Sequence, residues 1–101
     1  MKIPLPLPEA IAWIPRRQAM ELLFISSAQL RRDVAVLQAL EPAGWKYQSN
    51  SRGFRRPALE CLWYFRQLVQ VRGRVEAIAS INQFMEDLNS ERSGSSGRKC
   101  G

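Results

Sequence analysis

The most regular hydrophobic pattern in the chain has spacings of four and three residues, the period of one face of an α-helix. The stripe consists of Leu30, Val34 and Leu37. Ser26 and Ser27 precede it and are typical N-cap residues, so the pattern predicts a helix over about residues 28–40. The opposite face of this helix carries only small and basic residues: Ala28, Arg31, Arg32, Ala35 and Ala39.

Prolines and the same periodicity predict three further helices. A short one begins at Pro8 and cannot pass Pro15, and another covers about residues 16–24. A third covers about residues 57–71, where apolar residues occupy more than half of the helix circumference. That breadth predicts the central, most buried helix of the fold, with Trp63 as the most buried aromatic residue.

The two ends of the chain have different compositions from the middle. The last apolar stripe predicts a helix over about residues 75–88, and its members are Val75, Ile78, Ile81, Met85 and Leu88. Residues 89–101 contain no large hydrophobic side chain and are expected to be a disordered tail. Prolines at every second position predict an extended arm over residues 1–8. One domain is therefore expected, over residues 9–88.

Aromatic and basic residues alternate on both sides of a turn-forming stretch at residues 48–53. The flanking segments are Trp45-Lys46-Tyr47 and Phe54-Arg55-Arg56. This pattern predicts a β-hairpin over residues 45–56, and with the helices it predicts a mainly α fold with a small two-stranded β-hairpin. We expect the three aromatic rings to form the cross-strand core of the hairpin; the alternative is that they stack on nucleic-acid bases.

Charge and composition narrow the possible functions. The net charge is +6, from 15 basic and 9 acidic residues, and most of the basic residues are arginine. The planar guanidinium group of arginine suits phosphate oxygens and guanine edges. The chain contains no histidine, which removes the commonest general base and metal ligand. We therefore expect a protein without catalysis or cofactors that binds an anionic partner.

Cysteine content and the N-terminal sequence bear on the compartment. Cys61 lies in an apolar run and Cys100 in the tail, so neither a disulfide nor a zinc site is expected. The proline-interrupted N-terminus lacks the unbroken apolar stretch of a secretory signal, and no apolar run approaches the roughly 18 residues of a membrane span. These features favour a cytoplasmic protein that does not enter a membrane.

The segment Ser26-Ser27-Ala28-Gln29-Leu30-Arg31-Arg32-Asp33-Val34 resembles the start of the recognition helix in bacterial repressors of the DeoR and Rex types. The stretch from Gly44 to Arg55 resembles the wing that follows, and Gly53-Phe54-Arg55 before two helices is similar to the MerR-type layout. The resemblance covers residues 24–57 and implies a winged helix-turn-helix that binds DNA. The chain departs from the pattern in having a longer helix before the terminal glycine.

The residues and the resemblance together predict a transcriptional regulator of double-stranded DNA. The recognition helix, about residues 27–40, is expected in the major groove, and the basic wing, residues 45–56, on the backbone. The residues expected to contact DNA are Ser26, Ser27, Gln29, Arg31, Arg32, Lys46, Arg52, Arg55 and Arg56. Asp33 is placed to pair with an arginine and hold it. Because one such domain contacts few base pairs, we expect a homodimer through the C-terminal helix.

Two other functions use the same residues. A protein-interaction adaptor would turn its arginines and Trp45 toward an acidic protein, since binding hot spots are rich in tryptophan and arginine. The arm over residues 1–8 favours this alternative as a rigid docking strand. An RNA-binding module would need stacking aromatic rings outside the core.

Overall fold

The structure is a computed structural model that describes residues 4–47 and 52–97, with side chains as far as Glu91. In chain order its elements are β1 (Trp13–Pro15), α1 (Arg16–Leu23), α2 (Ser27–Leu40), β2 (Gly53–Arg55), α3 (Arg56–Arg72) and α4 (Arg74–Gly97). The described residues are mainly helical, and the two strands form one small antiparallel sheet. The predicted mainly α fold with two strands is confirmed at this level.

The sheet joins strands that are distant in the sequence, and this corrects the predicted hairpin. β2 pairs with β1, so that Ile14 lies opposite Phe54, while residues 45–47 form no strand. Both side chains are almost fully buried, at 2% and 1% exposure, which explains why this pairing replaces a local one. The helix predicted to begin at Pro8 is also wrong, because residues 8–12 make a turn that leads into β1. Part of the predicted hairpin, residues 48–51, lies outside the described ranges.

α3 is the most buried helix, as the breadth of its apolar surface predicts. Its buried residues are Ala58, Leu59, Glu60, Cys61, Leu62, Tyr64, Phe65 and Leu68. The prediction for Trp63 is wrong: this side chain is only partly buried, whereas Phe65 is fully buried. The helical period accounts for the difference, because Cys61, Phe65 and Leu68 share one face, whereas Trp63, two residues after Cys61, points to the opposite side of the helix.

α4 begins directly after Gly73 and packs along α3 through Ala77, Ile81, Met85 and Leu88. Val75 was predicted in this stripe, but it is 80% exposed, because the buried positions follow Ala77 at helical spacing. The predicted helix end at residue 88 is also wrong. The helix continues through most of the predicted tail to Gly97, and residues 98–101 lie outside the described ranges.

The described part of the N-terminal arm is tied to the domain by one arginine. Leu5 is buried in the core cluster. The guanidinium group of Arg56, at the start of α3, donates hydrogen bonds to the carbonyl oxygens of Leu7 and Pro8, each at 2.9 Å. A longer contact of 3.4 Å reaches the carbonyl of Ile11. These bonds hold residues 5–11 against α3, so that β1, which follows them, lies beside β2 and pairs with it.

Candidate nucleic-acid interface

α1 and α2 are consecutive helices joined by a short turn, residues 24–26. Ser26 caps α2: its hydroxyl oxygen accepts the backbone N–H of Gln29 at 3.2 Å, which confirms the predicted N-cap. Leu30 and Leu37 are fully buried and anchor the helix, also as predicted. Ser27 is the first residue of α2, and its side chain is exposed.

The outer face of α2 is low and cationic. Arg31 and Arg32 are exposed, and within residues 4–47 and 52–97 neither side chain has a hydrogen bond or ion pair. The alanines around them, Ala28, Ala35 and Ala39, are exposed as well. The predicted division of α2 into a buried leucine face and an exposed arginine–alanine face is therefore confirmed.

The acid on α2 points inward and is completely buried. Asp33 has no solvent exposure, and its Oδ2 lies 3.0 Å from Nε of Arg66 on α3. Its Oδ1 lies 3.3 Å from Nη1 of Arg74 on α4. The sequence predicted that Asp33 would hold an arginine, and the structure identifies two partners from other helices. α2 is thereby tied to α3 and α4, and its negative charge is neutralised inside the fold.

Gln29 is partly drawn into the same network. Its side-chain amide donates to Oδ1 of Asp33 at 2.9 Å, and the residue is half-buried. The sequence predicts that Gln29 reaches base edges, but this hydrogen bond turns its amide toward Asp33 on the buried side of α2 instead of the outer face.

Aromatic residues fasten the segment after α2. Glu41 ends α2 in the left-handed conformation (φ 49°). The buried indole N–H of Trp45 then donates a hydrogen bond to Oε1 of Gln38 on α2, at 2.9 Å. The ring of Tyr47 stacks on that of Phe54 with centroids 5.0 Å apart. Trp45 and Phe54 are buried, as expected of core residues, but they do not form the predicted cross-strand core of a hairpin, because β2 pairs with β1.

Three of the four predicted wing cations are exposed: Lys46, Arg52 and Arg55. The fourth, Arg56, is half-buried and holds the arm through the bonds given above, and its Nε lies 3.8 Å from the carboxylate of Glu60. The structure therefore gives Arg56 a structural task and leaves three wing cations on the surface.

The strand pairing adds residues that sequence reasoning missed. Trp13 lies directly opposite Arg55 in the sheet and is 47% exposed. The backbone N–H of Arg16 donates to the carbonyl of Arg52 at 3.1 Å, which brings the start of α1 beside β2. Arg17 is exposed at that end of α1. Nothing in the local sequence marks these residues, because a three-residue strand is too short to show alternation.

The charges are unevenly distributed along the chain. Residues 16–56 contain eight basic and three acidic residues, and one of the acids is the buried Asp33. Four acids lie on α4 instead: Glu76, Glu86, Asp87 and Glu91. The helical pair and the sheet therefore form the basic part of the molecule, the charge arrangement expected on the side that meets an anionic partner.

Within residues 4–47 and 52–97, no helix is both long and apolar enough to cross a membrane. The acidic and cysteine side chains of residues 4–47 and 52–97 form no group of three able to hold a metal ion.

Comparison of the chain with protein-family models, curated proteins and solved structures found no match in any of the three. The function is accordingly inferred from the geometry and charge of the residues themselves.

Proposed function

We propose that the chain binds double-stranded DNA as a cytoplasmic transcriptional regulator and that its fold works as a winged helix-turn-helix. α2 is the recognition helix and lies in the major groove. One observation carries the proposal: Arg31 and Arg32 are exposed, without a partner among the described residues, on a face of α2 that they share with three exposed alanines. Such a face lets the helix backbone approach the groove floor while the guanidinium groups reach O6 and N7 of guanine.

The buried position of Asp33 supports the same proposal. A carboxylate on the outer face of α2 would repel the phosphates that line the groove. Here the carboxylate is fully buried and paired with Arg66 and Arg74, so the exposed face of the helix presents positive charge alone. The network also fixes the orientation of α2 on α3, and a fixed helix is what base recognition requires.

Backbone contacts are assigned to residues outside the recognition face. Lys46 and Arg52, which precede β2, and Arg55, within β2, are exposed and would pair with phosphates. Ser26 and Ser27, at the N-terminus of α2, would contact a phosphate where the helix dipole favours an anion.

A second copy of the chain completes the site, because one recognition helix contacts few base pairs. We assign the pairing to α4, and the exposed Val71 and Val75 beside the α3–α4 junction offer apolar surface for it. Sedimentation velocity is expected to show a dimer in the DNA-bound state. One protomer on each duplex at saturation would contradict this part of the proposal.

The test of DNA binding compares two variants with the same loss of charge. A preferred duplex is first selected by the wild type from a random library. Replacing Arg31 and Arg32 by Ala is expected to abolish the preference, at about 1–3 kcal/mol for each base-contacting arginine. Replacing Arg52 and Arg55 by Ala is expected to weaken binding to all duplexes alike and to flatten the salt dependence by about one unit for each lost phosphate contact. No binding of the wild type to duplex DNA at about 50 mM salt would overturn the proposal.

An adaptor for an acidic protein is the second candidate, and one observation favours it. Phe24, in the turn between α1 and α2, is 94% exposed and lines a shallow pocket with Arg17, and a large exposed ring near an arginine is typical of a protein-binding hot spot. An adaptor would show little affinity for duplex DNA, and both double variants would lower its affinity for an acidic protein to the same extent.

A further inference from the structure

Trp13 is the largest side chain on the outer face of the small sheet. Residues alternate across β1, so that Ile14 enters the core and Trp13 faces outward, where 47% of it is exposed. Burial in the fold therefore does not account for the choice of a tryptophan at this position.

The fold holds the indole in place before any ligand arrives. Gly53 on β2 leaves room for the ring: a Cβ at that position would lie 2.5 Å from Cζ2 of Trp13 and would also collide with the carbonyl oxygen of Ile14. The ring therefore rests against the bare backbone of β2, and any side chain larger than hydrogen at position 53 would push it away. A ring held in this way loses little conformational entropy when it binds.

The surroundings of the indole are basic. Trp13 lines an open groove of about 860 Å³ together with Tyr47, Lys46 and Arg55, and none of the described residues that line it is acidic. Lys46 and Arg55 are exposed. Arg56 also lines the groove, but its guanidinium group is bonded to the carbonyl oxygens of the arm. The ring of Tyr47 is stacked on Phe54, so two cations and the exposed indole of Trp13 are left for a ligand.

This combination fits a ligand that alternates between anionic and apolar groups. We propose that the Trp13 groove binds the sugar–phosphate backbone of duplex DNA next to the segment read by α2, which makes it a second contact of the proposed DNA-binding function and dependent on it. The phosphates pair with Lys46 and Arg55, and a deoxyribose packs on the exposed part of the indole. Trp45, next to Lys46 in the chain, donates a hydrogen bond to Gln38 of α2, which ties this part of the groove to the recognition helix.

The experiment measures both affinity and tryptophan emission with a random-sequence duplex of about 20 base pairs at about 50 mM salt. Trp13→Ala is expected to weaken binding about tenfold, because it removes the apolar surface on which the deoxyribose packs. Trp13→Phe keeps an aromatic ring and is expected to bind within about threefold of the wild type. The duplex should quench the emission of the wild type. Because Trp45 and Trp63 also emit, only the share of this quenching that is due to Trp13 should be lost in Trp13→Phe, and this loss can be measured even if the affinity does not change.

Phe24→Ala is the matched control, because it removes another exposed aromatic ring that does not line the groove, and its affinity is expected to equal that of the wild type. Two results would overturn this inference and leave the proposed function intact, provided that the wild type binds the duplex. One is an unchanged affinity of Trp13→Ala, and the other is full quenching in Trp13→Phe. Failure of the wild type to bind duplex DNA overturns both. Tighter binding to the single strands than to their duplex also overturns the inference, since the groove would then take unpaired bases.

Discussion

The carboxylate of Asp33 and the guanidinium group of Arg66 lie 3.0 Å apart, from Oδ2 to Nε, and the aspartate side chain has no exposure to solvent. The pair is close enough for strong attraction, although the N–H is not aligned for a hydrogen bond. A charge buried in this way is stabilised only by its partners. The contact therefore makes the position of α2 depend on α3.

Asp33→Asn is expected to lower the free energy of unfolding by about 3 kcal/mol, because it leaves Arg66 without its counter-charge in a largely buried site. Urea unfolding followed by circular dichroism measures the loss. Asp87→Asn is the matched control: that carboxylate is exposed on α4 and accepts one hydrogen bond from Gln83, so its loss should cost less than about 0.5 kcal/mol. Equal effects of the two variants would show that the buried network contributes nothing specific.

Phe24 holds a backbone conformation that suits glycine. It follows α1 with φ 57°, and its N–H and that of Ile25 donate back to the carbonyls of Glu21 and Met20, a common way to end a helix. A side chain in this left-handed region costs about 1–2 kcal/mol. Because the ring is almost wholly exposed, its removal loses little packing.

Phe24→Gly is therefore expected to raise the free energy of unfolding by up to about 1 kcal/mol, since part of the relief is lost to the greater entropy of glycine in the unfolded chain. Phe24→Ala removes the same ring but keeps the strain, and it should change stability by less than about 0.5 kcal/mol. Thermal unfolding of the two variants separates the contributions. A glycine variant no more stable than the alanine variant would mean that position 24 carries no strain.

Local patterns predict α1, α2 and α3 well, because the helical period is a short-range property. The predicted ranges for α1 and α2 agree with the structure to within one residue at each end. The strand pairing was missed for the opposite reason. Trp13–Pro15 is too short to show alternation, and two helices separate it from β2. Local alternation therefore favours Trp45-Lys46-Tyr47 as the strand that pairs with β2.

The candidate site shows the same limit at the level of single residues. The exposed face of α2 with Arg31 and Arg32 follows from periodicity alone. The task of Arg56 does not, because only the folded chain brings the carbonyls of Leu7 and Pro8 to its guanidinium group. Trp13 was missed for a similar reason: its place beside Arg55 depends on the pairing of the strands.

The two neighbouring aromatic residues of α3 are expected to differ in their contribution to stability. Phe65 is fully buried and Arg74 lies over its ring at 5.8 Å, whereas Trp63 is only partly buried. Phe65→Ala is expected to cost about 3–5 kcal/mol, because it leaves a cavity in the centre of the core. Trp63→Ala should cost clearly less despite removing more atoms. Urea midpoints in the reverse order would mean that α3 is rotated relative to its position here.

The thiol of Cys61 provides a prediction about pH. It is fully buried, with Sγ 3.6 Å from the carbonyl oxygen of Ala43. Desolvation by burial, and secondarily the nearby carboxylate of Glu60, raise the pKa of this thiol from its ordinary 9.0 to about 12. The folded protein therefore keeps the thiol proton between pH 9 and 12, where the unfolded chain has lost it.

Because the unfolded state binds fewer protons in this window, Cys61 makes stability fall as the pH rises, by up to about 1.4 kcal/mol per pH unit. Below pH 9 both states hold the proton, and the contribution vanishes. Urea unfolding at pH 8 and pH 10.5 in a Cys100→Ser background measures the decline in stability. Adding Cys61→Ala to this background should make the decline shallower, since the other alkaline titrations are common to the single and the double variant.

At pH 8 the thiol of the folded protein should resist alkylation by iodoacetamide until urea unfolds the chain. Rapid alkylation of the native protein, or the same decline with and without Cys61, would show that this thiol is open to solvent and that α3 does not occupy the centre of the fold.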